Sequence, residues 1–186
     1  MKNPTDIQFI EDSHEYFIGG VKYPSNYEII KDVGFMNYYR RGEDAMNRGK
    51  AIHMLFADSL MQRVDYARVS GEGLGLIEEL NAFIILEDIT FVDCETVCGS
   101  VEERFAGKYD ALFAKAGKPI LVDWKSGEPA KWHQYQVAGY MLLSGAVEGW
   151  IVYIDHGFRK VEIDYERCVA GFRLMRDLYY MKRESA

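Results

Sequence analysis

The chain has no apolar run near the roughly 18 residues that a membrane span needs, and Met1-Lys2-Asn3-Pro4-Thr5-Asp6 lacks a signal peptide's apolar region. A soluble, cytoplasmic protein without a membrane partner is expected. Cysteine is scarce: Cys94, Cys98 and Cys168 make an odd set with no CxxC pair. Neither a disulfide framework nor a four-cysteine metal site can be completed within one chain. An iron–sulfur cluster usually takes four thiolates and is therefore not expected. Basic charge is short as well, since 22 Lys and Arg face 29 Asp and Glu for a net charge of -7. That balance argues against non-specific coating of nucleic acid, yet it suits an enzyme that gathers carboxylates around a cation. Only four prolines punctuate the chain, and no repeat or low-complexity linker divides it, so residues 1–186 are read as a single domain.

What is present is apolar patterning: 48% of residues are hydrophobic and 14% aromatic, ample for a core. Short alternating runs at 7–10, 16–18 and 21–23 predict a strand meander, and Pro24-Ser25-Asn26 offers a helix start leading to Gly34. Ala45, Gly49, Ile52, Phe56 and Leu60 follow the helical period over 43–61, and Leu76, Leu80, Phe83 and Ile84 do so over 74–87. Strands are then expected at 91–97, 102–113 and 119–124, a helix at 132–144, strands at 150–155 and 159–163, and a closing helix at 165–182. The predicted class is α/β (α+β), a central mixed β-sheet flanked by helices.

Residues 107–125 read as a hairpin turning near Ala116-Gly117. Symmetric pairing about that turn sets Asp110 opposite Asp123, and alternation puts Asp123 and Lys125 on one face with Trp124 on the other. Like charges directly opposed on a sheet are destabilising, so the pair calls for a compensating cation or an unusual proton arrangement. Hard oxygen ligands suit Mg2+ or Mn2+, and a lysine beside them can orient or deprotonate a water or stabilise charge at phosphorus. The plainer alternative is a solvated hairpin whose charges simply face water.

Gly107-Lys108-Tyr109-Asp110, then Asp123-Trp124-Lys125, then Gln136-Val137-Ala138-Gly139-Tyr140 stand in that order. This set resembles the PD-(D/E)XK nuclease superfamily, specifically its RecB-like and phage exonuclease branch. Upstream, Arg48-Gly49-Lys50-Ala51-Ile52-His53 resembles that branch's Arg-Gly-x-x-x-His helix, and Tyr23-Pro24-Ser25 with Ile29-Ile30 resembles the start of phage-type members. Those members more often have Pro-Ser-Val-Thr where this chain has Pro24-Ser25-Asn26-Tyr27.

The resemblance implies a restriction-endonuclease-like core and a Mg2+- or Mn2+-dependent deoxyribonuclease. It implies Asp110, Asp123 and Lys125 as catalytic residues, with His53, Asp110, Asp123 and the Trp124 backbone carbonyl as metal ligands. Gln136 and Tyr140 would support the metal site and touch DNA. Glu95 resembles the family's acidic residue on the preceding strand, with Glu102 and Glu103 competing for that place. Arg40, Arg41, Arg48, Lys50 and Lys131 are candidate phosphate contacts, or else ordinary surface charge. The function expected is an exonuclease in phage-type recombination, replication or DNA end processing, in a bacterial or phage-infected host cell. DNA would be its partner, and a recombination or single-strand-binding protein a further one. The alternatives are a structure-specific endonuclease or nickase, and a catalytically silent DNA-binding accessory protein.

Overall fold

The structure is a computed structural model that describes residues 6–36 and 42–184. Strands β1 (Ile7–Ile10), β2 (Glu15–Ile18) and β3 (Val21–Tyr23) form an antiparallel sheet in that order. Gly19 and Gly20, both at positive φ, make the tight turn between β2 and β3. Helix α1 (Asn26–Asp32) follows, with Ser25 at its N-cap accepting a 2.9 Å hydrogen bond from the Glu28 N–H. Helices α2 (Glu43–Leu60) and α3 (Gly71–Glu87) precede the main sheet.

That sheet contains β4 (Thr90–Ser100), β5 (Phe105–Lys115), β6 (Lys118–Lys125), β7 (Glu148–Tyr153) and β8 (Arg159–Glu162), in sequence order. Neighbours are antiparallel except β6 and β7, which run parallel and are joined through α4 (His133–Ser144). A parallel pair needs such a crossover, and the mixed sheet follows from it. The last helix is α5 (Tyr165–Glu184). The chain is thus a mixed α+β fold with helices on both sheet faces. Among the described residues no helix is long and apolar enough to cross a membrane.

Two apolar clusters sandwich the sheet. Ile29, Ile30, Val137, Met141 and Phe172 from α1, α4 and α5 pack on Leu121 and Ile151. Ile52, Phe56, Leu80 and Phe83 from α2 and α3 pack on Phe113, Val122 and Trp124. Burial on both faces explains why β6 reads Ile120-Leu121-Val122, all fully buried, rather than as an alternation. Trp124 meets Phe56 and Phe83 edge-on at 5.3 and 5.9 Å.

Several boundaries differ from the sequence expectation. Helix α3 starts at Gly71 rather than Leu74, because Ser70 caps it by accepting from the Gly73 N–H at 3.1 Å. Gly71 and Gly73 are poor helix formers that masked this turn; a Cβ at Gly73 would lie 2.7 Å from Val69 Cγ1. Strand β5 begins at Phe105, not Glu102: residues 102–104 form a turn, with Arg104 at φ 59. Strand β7 ends at Tyr153, where a 3-10 turn, Ile154–His156, takes up residues expected to be extended.

Candidate active site

The β5–β6 hairpin turns through Ala116 and Gly117, with φ of 49 and 77, the left-handed pair that two-residue hairpin turns require. From there the pairs run Lys115↔Lys118, Phe113↔Ile120 and Ala111↔Val122. The next step in this register sets Asp110 against Asp123, as symmetric pairing predicts. At that step the ladder gives way, and Asp110 Oδ2 accepts a 2.9 Å hydrogen bond from the Trp124 N–H. Strand β6 continues alongside β7, with Asp123↔Ile151 and Lys125↔Tyr153 in register. The two strands therefore fork around the carboxylates.

A second irregularity lies on the other side of Asp110. Glu95 sits at φ 51 between the pairs Cys94↔Ala111 and Thr96↔Tyr109. Left-handed backbone is uncommon for a residue with a Cβ and concentrates at functional sites. Here it resets side-chain alternation: Cys94 and Ala111 face the α2/α3 cluster, whereas Cys98 and Tyr109 face the α1/α4/α5 cluster. The kink brings Glu95 to Asp110 and His53. These three residues each offer a ligand atom within 4.8 Å of one another. Glu102 lies in the exposed turn, and Glu103 is buried in ion pairs with Arg173 and Arg176 of α5. Of the three acids, Glu95 is the one in the cluster.

His53 arrives from α2, its Nδ1 3.4 Å from Asp110 Oδ1. Gly49 permits this approach, since a Cβ there would stand 3.0 Å from Ser126 Oγ, the residue after Lys125. Arg48, proposed as a phosphate contact, binds both Asp155 oxygens at 2.9 and 3.1 Å and Glu72 at 3.3 Å. It braces α2 against α3 and the end of β7. Lys50 and Lys131 are exposed, while Arg40 and Arg41 lie outside the described residues.

Asp123 is 1% exposed, and among the described residues its Oδ1 has no hydrogen-bond partner. The Lys125 ammonium forms a close ion pair with Oδ2. Burial, reinforced by the Asp110 charge and opposed by Lys125, pushes the Asp123 pKa up to about 6. Burial also acts on Asp110 and His53, but there their mutual attraction wins, holding the carboxyl below and the imidazole above their ordinary values. Asp123 stands outside the tight His53–Glu95–Asp110 set and faces lysine instead. The Trp124 carbonyl belongs to the peptide joining Trp124 to Lys125, at the sheet end where these groups gather.

From α4, Gln136 Nε2 reaches the Tyr140 hydroxyl at 3.5 Å, and Gln136 Oε1 is buried without a hydrogen-bond partner among the described residues. Burial raises the Tyr140 pKa, with the Asp123 and Asp110 charges adding to it. The Tyr140 ring explains the motif glycine, because a Cβ on Gly107 would lie 2.6 Å from Tyr140 Cε1. Gly107→Ala is expected to destabilise the protein by about 1–3 kcal/mol through overpacking, read as a lower urea midpoint. An unchanged midpoint would mean that this contact yields freely.

Two residues at the site escaped sequence reasoning. Lys108 Nζ lies 2.5 Å from Glu95 Oε2, and its place two residues before Asp110 was the available signal. Asn26, fully buried, donates from Nδ2 to the Gln136 carbonyl at 2.7 Å and ties α1 to α4. The departure from Pro-Ser-Val-Thr falls on this residue.

No family model and no curated protein matches the chain. A solved structure, that of SSO0001, is similar to it at 19% identity over 79% of this chain and 81% of its own length, with a TM-score of 0.32. A superposition that loose carries no argument about function.

The donor set itself fits a divalent cation. Two carboxylates and one imidazole, from Glu95, Asp110 and His53, converge within 4.8 Å, and beside them Asp123 is buried with Oδ2 held by Lys125 and Oδ1 without a hydrogen-bond partner among the described residues. Such oxygen-rich sets suit Mg2+ or Mn2+.

Proposed function

We propose that the chain is a divalent-metal-dependent DNA nuclease that hydrolyses phosphodiester bonds, acting as an exonuclease in phage-type recombination, replication or end processing. The observation that carries this reading is the fork between β5 and β6. There a buried Asp123, ion-paired to Lys125, stands beside the His53–Glu95–Asp110 group. The three motifs that resemble the RecB-like branch all lead to this one place.

Bound Mg2+ or Mn2+ would supply charge neutralisation at a phosphate oxygen and a more acidic water. His53, Glu95, Asp110 and Asp123 would hold it. The chain's own groups divide the remaining work. The Trp124 N–H fixes Asp110, and Asp110 in turn orients the His53 ring. The Lys125 ammonium, with its side chain 12% exposed, is held at the sheet end by Asp123. From there it can align the attacking water and stabilise negative charge on the phosphoryl oxygens. Gln136 and Tyr140 close the site on the α4 side.

The test is incubation with Mg2+ or Mn2+ of linear DNA labelled at either end, alongside closed circular DNA. Loss of label from linear DNA with the circle untouched is the expected result. Opening of the circle would replace the exonuclease by an endonuclease or nickase. Intact DNA under every metal and end condition would overturn the enzyme reading and leave a silent DNA-binding accessory protein.

A further inference from the structure

Strand β4 is an edge strand of the main sheet, and it departs from regular geometry twice over residues 92–95. Its register against β5 shifts between Phe91↔Phe113 and Asp93↔Leu112, which leaves Val92 as an extra residue. Glu95 then takes φ 51, while pairing continues on either side of it at Cys94↔Ala111 and Thr96↔Tyr109. A residue with a Cβ keeps such a backbone only where its surroundings over-determine it. At Glu95 the constraint comes from Asp93.

Both oxygens of this half-buried carboxylate are engaged by donors. Oδ1 accepts from the Cys94 N–H at 2.8 Å, just before Glu95, and Oδ2 accepts from the Thr96 hydroxyl at 2.6 Å, just after it. The side chain thus bridges Glu95 from one flank to the other. The Tyr109 hydroxyl donates a third bond to Oδ2 at 3.2 Å and ties the bridge to β5, one residue before Asp110. Burial raises the Tyr109 pKa, so the phenol keeps its proton and stays a donor. Because Thr96 and Tyr109 are cross-strand partners, one carboxylate fixes both strands where Glu95 and Asp110 stand between paired neighbours. Asp93 is not a member of the His53–Glu95–Asp110 group.

We infer that Asp93 is a positioning residue for the candidate metal site: by clasping Cys94 and Thr96 it holds Glu95 in the left-handed form that keeps its carboxylate beside Asp110 and His53. Without the clasp, β4 relaxes to ordinary extended backbone, side-chain alternation resumes, and Glu95 leaves the site. The role is geometric, so it belongs to the hydrogen bonds and not to the charge. An amide can take it over, since its oxygen accepts from the Cys94 N–H and its NH2 donates to hydroxyl oxygens. The Thr96 hydroxyl already lies 3.1 Å from the Cys94 carbonyl, to which it can donate instead. This inference rests on the metal site of the nuclease reading, and the two fail in different ways.

The experiment is calorimetry of Mn2+ binding to the full chain, with the melting temperature of each variant taken in EDTA. Asp93→Ala should weaken Mn2+ binding by about 10- to 100-fold, the usual effect of losing a group that orients a ligand. Asp93→Asn should recover most of that affinity. In Glu95→Ala the ligand itself is gone, so adding Asp93→Ala should change affinity by less than about twofold. Thr96→Val removes one donor while keeping the shape; it should weaken binding in the same direction, and it decides the matter if Asp93→Ala does not fold. A loss in Asp93→Asn as large as in Asp93→Ala would make the charge responsible, and an undiminished loss in the Glu95→Ala background would place the effect elsewhere. Either result, like wild-type affinity in both Asp93→Ala and Thr96→Val, would overturn the inference. A protein that binds Mn2+ in this Asp93-dependent way yet leaves all DNA intact would overturn the nuclease reading alone. A wild type that binds no Mn2+ would remove both.

Discussion

Lys125→Ala should lower the rate of DNA hydrolysis by about 10²- to 10⁴-fold, the range for a lost proton-transfer or charge-stabilising group, without weakening metal binding. The geometry sets both halves of this expectation. Lys125 shares a strand face with Asp123 and projects at the end of β6, where the ladder to β5 has already opened. Under the proposed function its ammonium acts on the reacting phosphate and is no metal ligand itself. Removing a positive charge beside a cluster of carboxylates favours a divalent cation, so calorimetry with Mn2+ should find affinity equal or higher.

The same ammonium offsets a buried carboxylate, and stripping one partner from a buried pair commonly costs about 3–5 kcal/mol. The rate comparison therefore uses the Mn2+-loaded protein, with its melting temperature checked. Lys125→Met serves as a second variant that keeps the apolar stem. Wild-type rates in both variants would sink the assignment of Lys125.

Lys125 also shows why this part of the site was legible from sequence. A two-residue turn fixes hairpin register, register fixes which residues oppose, and strand alternation fixes which share a face. Asp110, Asp123 and Lys125 follow from those local rules. The neighbouring strand broke them. Glu95 adopts a left-handed backbone, so counting by twos along β4 loses its face at the residue that matters. Its competitor Glu103 is explained only by Arg173 and Arg176, 70 and 73 residues away.

The ion pairs of Arg48 were not legible for a similar reason. Its partner Asp155 lies 107 residues further on, and nothing in the helical pattern around Arg48 announces it. The helices and most strands were likewise visible from period and caps. The boundaries that moved, at Gly71, Phe105 and Tyr153, are places where a glycine-rich turn or a tertiary ion pair outweighs local preference.

Asp123→Asn should have opposite effects on the two properties usually expected to fall together: metal binding is lost, while the metal-free protein becomes more stable. Asp123 is buried with Oδ1 lacking a hydrogen-bond partner among the described residues, and burial first, then Asp110, raises its pKa to about 6 despite the Lys125 ion pair. An unfolded Asp titrates near 4. Between those values the folded state holds a proton that the unfolded state has released, so metal-free stability falls as pH rises from about 4 to about 6. The loss is on the order of 1–3 kcal/mol and is complete above that window.

Asn mimics the protonated acid and escapes this penalty, while its side-chain oxygen still accepts from the Lys125 ammonium, which keeps its own access to solvent. In EDTA at pH 7.5 the variant should melt about 2–8 °C above wild type, and the gap should close as pH approaches 4. Added Mn2+ should raise the melting temperature of wild type by mass action and leave the variant unmoved. A variant that melts lower than wild type in EDTA at pH 7.5, or one that Mn2+ still stabilises, would show that Asp123 is a structural acid rather than a ligand held ready in a dry site. The ordered charge is what the fold sustains at a cost to its own stability, and a bound cation is the simplest state in which that cost disappears.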